Sequence, residues 1–348
     1  MDRRSYLAGS TVGAVAFLSG CLDTAGLGVD ERDDVTVPED EDPVNAEIRS
    51  AVGTLNRAGL SLGGIDEDLE DPNAVEYDPE RPRERIATAY DRLEAAEELG
   101  DRPEDVETLR EFADVLERTI DAVVSLIAAD LDGEFETAET HFENEEYDAA
   151  QTIVRDRNEN VTNDQDRLDP AGETLETIDH DRLADLNAID VDPLEDGVAT
   201  LDHLLSGLGA LTGSFDRMID GSRHLDDGRE AFEEGLDLTD EADEATTPGE
   251  ADQLLEDADD AFEDALESFQ NGETAFADSS STLETLEDPP TALDEQFETT
   301  ACRSGNLEAA AGEFVRGAEA ALEDDIETAR DHEGDGIDLI ERAEDCGE

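Results

Sequence analysis

Five histidines, three cysteines and 100 carboxylates are the side chains of this 348-residue chain that could do chemistry. A metal site or an acid–base pair would need some of them at close, patterned spacing. His141, His180, His203, His224 and His332 stand apart, and none follows a glutamate by three residues, so the Glu-x-x-His pairs of helical di-iron sites are missing. There is no His-Glu-x-x-His run and no tight Cys–His group of the kind that holds zinc. His203 lies beside an apolar helical stripe and reads as a structural histidine, buried or half-buried. Asp331, Glu333, Asp335 and Gly336 begin like a calcium loop, but the twelfth position is Arg342 where the ion needs a glutamate. That stretch is expected to be an acidic loop before a C-terminal helix. With carboxylates so abundant, two of them close together say nothing about acid–base catalysis. Neither a Gly-x-Ser-x-Gly elbow nor a phosphate-cradling glycine loop is present. The residues predict no catalytic site, no metal and no cofactor.

Cysteine carries the remaining chemistry. Cys21 follows Leu18-Ser19-Gly20, and these close an uncharged apolar stretch over residues 6–18 that begins just after Arg3-Arg4-Ser5. A charged start, a short apolar middle and small residues before a cleavage point are what export machinery reads. The stretch is short for a membrane helix, which needs about 20 residues. On these residues the N-terminus resembles that of twin-arginine-exported lipoproteins. Arg3-Arg4-Ser5-Tyr6-Leu7 is similar to the twin-arginine signal, departing from it at Asp2 and Ala8, and Leu18-Ser19-Gly20-Cys21 looks like a lipobox. The resemblance covers residues 1–21 alone. It implies that residues 1–20 are a signal peptide and that Cys21 becomes a lipidated N-terminus. The protein would then be held by its lipid to the extracytoplasmic face of the cell membrane. Cys302 and Cys346 remain as an even pair in an oxidising setting, where disulfides persist, and they are expected to bridge.

The charge excludes whole classes of partner. Acidic residues outnumber basic ones 100 to 23 for a net charge of −77, and every basic residue is arginine. Phosphate backbones require clustered Lys and Arg, so nucleic acid is not a partner. Anionic lipid headgroups would be repelled, which leaves the lipid as the membrane contact. Self-repulsion on this scale is severe in dilute buffer, yet at about 1 M salt the screening length falls to about 3 Å. Abundant Asp and Glu without lysine or tryptophan resembles the proteins of extremely halophilic archaea. Composition of this kind is also a mark of disorder; hydrophobic periodicity argues against disorder for most of the body.

That periodicity is helical. Residues 21–42 are rich in Gly, Asp and Glu and read as a tether. Asp42-Pro43 starts a first helix, with Asp as cap and Pro at the first helical position. Residues 63–79 hold Gly63-Gly64, Asp71-Pro72 and Asp78-Pro79 and read as loop. Val106, Leu109, Ala113, Leu116, Ile120, Val123 and Ile127 alternate three- and four-residue steps, the coiled-coil spacing that places a narrow seam on one face. Phe135, Ala138 and Phe142 extend the stripe past Gly133. Val198, Leu201 and Leu205 open a second long run, Ala258, Phe262, Ala265 and Phe269 mark a third, and Leu307, Ala310, Phe314 and Ala318 a fourth. Thr247-Pro248-Gly249-Glu250 has capping-box spacing, Asp192-Pro193 repeats the logic, and stops are expected at Gly100, near Pro289-Pro290 and at Ser304-Gly305.

Two-residue alternation is nearly absent, so an all-α fold is expected, most simply an antiparallel bundle of long helices. Ala138, Phe142, Tyr147 and Ala150 look a little like part of a tetratricopeptide repeat, which leaves a helical repeat stack as the alternative. The polar stretch over residues 158–192 is the expected boundary between helical regions 43–190 and 191–348. Asn160-Val161-Thr162 is a glycosylation sequon. The function expected is a membrane-anchored, non-catalytic interaction or spacer module with a protein partner. The alternative is a solute- or cation-binding lipoprotein serving a transporter.

Overall fold

The computed structural model describes residues 42–62, 77–188, 191–286 and 291–347. Among them the chain is all-α, with no strand: α1 (Pro43–Leu62), α2 (Glu80–Leu99), α3 (Pro103–Ala128), α4 (Leu131–Glu143), α5 (Tyr147–Thr177), α6 (His180–Asp185), α7 (Asp192–Glu244), α8 (Pro248–Leu283), α9 (Thr291–Leu322) and α10 (Ile326–Glu344). Arg3, Arg4 and Cys21, the tether up to residue 41 and the expected loop over residues 63–76 lie outside the described residues.

Helix ends follow local chemistry. Asp42 Oδ1 accepts from the Val44 amide at 3.2 Å beside Pro43. Gly100 closes α2 at φ 80°, a left-handed conformation that suits glycine, and its N–H bonds the Glu97 carbonyl. Thr247 caps α8 by accepting from the Glu250 amide. Asp325 does the same for α10 toward Thr328. At Asp192 the helix begins one residue earlier than expected, with Asp192 already helical and the Val191 carbonyl accepting from Leu194 and Glu195.

The described chain divides into two compact units. One comprises residues up to Leu131 together with Glu159–Gly209, the other Asp132–Asn158 with Ala210–Glu348. The division therefore does not follow the expected regions 43–190 and 191–348. The polar stretch chosen as their boundary is itself helical: α5 runs on through Asp169-Pro170 to Thr177, and α6 follows. Its few apolar residues, Leu168, Leu175, Ile178 and Leu183, are buried in the first unit. Sparse apolar positions at helical spacing suffice to hold a polar helix when each one is buried.

In the first unit α3 is the axis. Half of its 26 residues are buried, more than a single narrow seam would use. Leu109, Phe112 and Leu116 enter one apolar cluster with α1 and α2, while Val115, Ala122 and Leu126 enter another with residues of α5 and α7. A helix with neighbours on two sides needs two stripes, and the i+3 and i+4 pattern reports only the stronger. Nor does the stripe continue past Gly133. Ala129 takes an extended backbone, φ −76° and ψ 122°, and α4 is a separate helix whose Ala138 packs with Ala150, Val154 and Ile219.

In the second unit the helices pack by sevenths. Gly221, Gly228 and Gly235 of α7 face Phe276, Phe269 and Phe262 of α8 in that order, so the two helices run antiparallel. A Cβ on any of the three glycines would come within 2.9 Å of the facing ring. Along α8 Ala258, Ala265, Gly272 and Ser279 are all buried, and in α9 Phe297, Ser304, Ala311 and Ala318 are buried at the same interval. Ser304-Gly305 is accordingly no stop. Ser304 is completely buried, its Oγ donates to the Phe269 carbonyl at 2.8 Å, and it would meet a Cβ on Gly272 at 3.0 Å. Small residues there let two backbones approach, which sequence alone presents as a helix breaker. The acidic stretch from Asp331 is not loop either. It lies within α10, which packs antiparallel on α9 with Gly336 against the Phe314 ring.

Candidate functional site

Cys302 lies on α9, and Cys346 follows the end of α10; the structure joins them in a disulfide. Asn306 supports the bridge by donating through Nδ2 to Cys346 Sγ at 3.4 Å, and Arg303 Nε donates to the Ala343 carbonyl at 3.4 Å. The C-terminus is thus tied to the middle of the preceding helix by one covalent and two polar links.

The histidines occupy five separate places. His141 pairs with Glu146 across the α4–α5 turn. His180 Nε2 lies 2.9 Å from the Leu175 carbonyl and 3.3 Å from Glu195. His224 stands 3.9 Å from Asp220. His203 is exposed rather than buried or half-buried, since two residues on from the inward Leu201 a helix has turned to its opposite side. His332 is the best-built of the five: its Nδ1 is 2.7 Å from Glu313 Oε2, while Arg316 Nη2 donates to Glu313 Oε1 at 2.5 Å. Burial works to raise the Glu313 pKa, but the bonds from His332 and Arg316 outweigh it and hold that carboxyl below its usual range. This is a general-base geometry with no nucleophile beside it among the described residues. Nor do three His, Cys, Asp or Glu side chains converge there as a metal ion would require.

Other polar groups are paired for structure. Arg182 of α6 donates through Nη1 to Asp105 at 2.8 Å and through Nη2 to Glu104 at 2.7 Å, fastening α6 to the start of α3. Asp105 is nearly buried, so the pair is a clamp whose removal would strand a charge. In the second unit the Tyr147 hydroxyl donates to Asp226, and burial together with that carboxylate raises the tyrosine pKa. Ser214 and Ser279 each donate to the other's carbonyl at 2.9 Å, a reciprocal clasp between α7 and α8. Repulsive contacts remain too. Burial and then Glu273 raise the Glu308 pKa, and burial and then Glu263 raise that of Asp259.

Space for a ligand is small where it was found. A hollow between Phe135, Ala138, Ile153 and Val154 holds about 10 Å³, enough for one water. Arg157 and Glu134 rim it, bonded to each other at 2.8 Å through Arg157 Nε. No helix of the described residues is long and apolar enough to cross a membrane.

Fold and geometry together define an all-α protein of two helical units, stapled at its C-terminus. Comparison with protein-family models, curated proteins and solved structures finds no match to this chain. Sequence reasoning had found the cysteine pair but missed the Glu313–His332 pair and the serine clasp. The clasp had a signal: Ser214, Gly221, Gly228 and Gly235 repeat every seventh residue, a small-residue stripe hidden among the apolar ones. The pairing of Glu313 with His332, on two different helices, had none.

Proposed function

We propose that this chain is a lipid-anchored extracytoplasmic protein whose helical body serves as a non-catalytic interaction or spacer module. The reading is supported above all by how the helices use their interior. Glycine, alanine and serine at seven-residue intervals bring backbones together, phenylalanines fill what is left, and the polar side chains bond one another. Such construction spends its special residues on rigid helix pairing. The anchor rests on the residues before it: Arg3-Arg4, the apolar stretch and Cys21. A lipid at Cys21 and a tether of some twenty residues would hold the helical body at the membrane by its N-terminal end.

The anchor is tested at its own atom. Cys21→Ala is expected to move the protein from the membrane fraction to the medium or soluble fraction, read by immunoblot after fractionation in molar salt. Undiminished membrane retention of that variant would overturn the anchor.

A further inference from the structure

The interaction reading requires a surface, and α1 is unlike every other long helix in the way it meets solvent. The chain averages nearly three acidic residues in ten. In its 20 residues α1 has one, Glu47, and that carboxylate pairs with Arg92 at 3.2 Å. Its outward stripe runs Arg49, Gly53, Arg57 and Leu60, spaced by four, four and three residues on one helix face. Leu60 is 41% exposed, among the most exposed large apolar side chains of the described residues. Gly53 sits mid-helix, where glycine costs about 1 kcal/mol against alanine. Among the described residues no atom lies within 4 Å of where its Cβ would stand, so their packing does not call for glycine there. Gly221, Gly228 and Gly235, by contrast, each have a phenylalanine ring in that position.

Charge says what would fit. Arg85 of α2 lays its Nη1 on the Arg57 carbonyl at 2.8 Å, which brings a second arginine side chain to the C-terminal half of α1. No carboxylate among the described residues forms an ion pair with either. The chain has over four acidic residues for each arginine, yet Arg57 and Arg85, in contact with each other, have no carboxylate partner among the described residues. Planar guanidinium groups bind carboxylates two-pronged, at contact distance, where screening by salt is weakest.

We propose that the outer face of α1, from Arg49 to Leu60 with Arg85 beside it, is a docking surface for an acidic segment of another protein. This rests on the interaction-module reading and names its surface. Carboxylates of the partner pair with Arg57 and Arg85, its backbone approaches over Gly53, and an apolar side chain covers Leu60.

The test uses the full chain, expressed in its own membrane, with p-benzoylphenylalanine placed at Leu60 and, separately, at Ile337 of α10. After irradiation the crosslinked peptides are sequenced by mass spectrometry. The expected result is an adduct from Leu60 to an acid-rich peptide of a different protein. Arg57→Glu combined with Arg85→Glu should cut its yield about tenfold, since like charges then face the partner, with helix content by circular dichroism unchanged. Adducts to residues 63–76 of the same chain, to a second copy or to lipid would overturn the proposal, as would an undiminished yield in the double variant. A protein adduct from Ile337 with none from Leu60 would reject this surface and leave the interaction module standing. Silence at both positions would reject both.

Discussion

A single atom decides the sign of a substitution in this protein, and its glycines show why. At Gly228 of α7 a Cβ would come within 2.7 Å of the Phe269 ring, which is fully buried with the Phe232 ring 6.4 Å away. At Gly334 of α10 a Cβ meets nothing within 4 Å. Alanine gains up to about 1 kcal/mol of helix propensity over glycine at either site. Overpacking costs about 1–3 kcal/mol or more, so at Gly228 the overlap wins. Gly228→Ala is expected to lower the thermal midpoint in molar salt and Gly334→Ala to raise it slightly, both followed by circular dichroism at 222 nm. Equal shifts of one sign would show that the α7–α8 seam is not packed as described. The sequence displays both glycines alike; only the neighbouring helix distinguishes them.

Among the elements, α10 depends most on what it is tied to. Two of its residues, Gly336 and Ala343, are buried, and it rests on α9 through the Phe314 ring, the Glu313–His332 pair and the Cys302–Cys346 bridge. Closing a loop with a sequence separation of 44 stabilises by about 4 kcal/mol in the chain-entropy model. A helix with so little apolar burial has little else to replace it. Replacing both cysteines by serine should speed amide hydrogen exchange across residues 326–344, measured by mass spectrometry, while residues 106–123 of α3 keep their protection. Unchanged exchange in α10 would mean that its contacts with α9 hold it without the bridge. An even count in an oxidising setting marked the two cysteines as a pair. It could not indicate that the bridge clamps a helix, because residues 331–336 read as loop until their place on α9 was seen.

For the whole molecule the governing quantity is charge. A body carrying −77 is compact only where its carboxylates are screened or hydrated, and burial and then neighbouring carboxylates already raise the Glu308 and Asp259 pKa values. Helix content by circular dichroism is expected to fall as salt is lowered from molar to about 0.1 M, where the screening length grows to about 10 Å. A salt-independent helical signal would refute the view that the acidic surface is an adaptation to brine. The α1 stripe gains its meaning at this scale, because an acid-free face is exceptional only against so acidic a background.

The amino-acid sequence by itself determined the all-α class and many helix ends. Apolar spacing, Gly100, the Thr247-Pro248 cap and the Asp42-Pro43 start are all local, and local chemistry decides them. Tertiary structure alone decided which faces meet. It turned Ser304-Gly305 from a stop into a point of contact, put α3 between two cores, made a helix of the polar stretch around Pro170 and left His203 exposed. The physical reason is that helical period tells which residues share a face, whereas burial depends on what another helix brings to it. Gly228 becomes a packing site only when Phe269, 41 residues later, arrives over it.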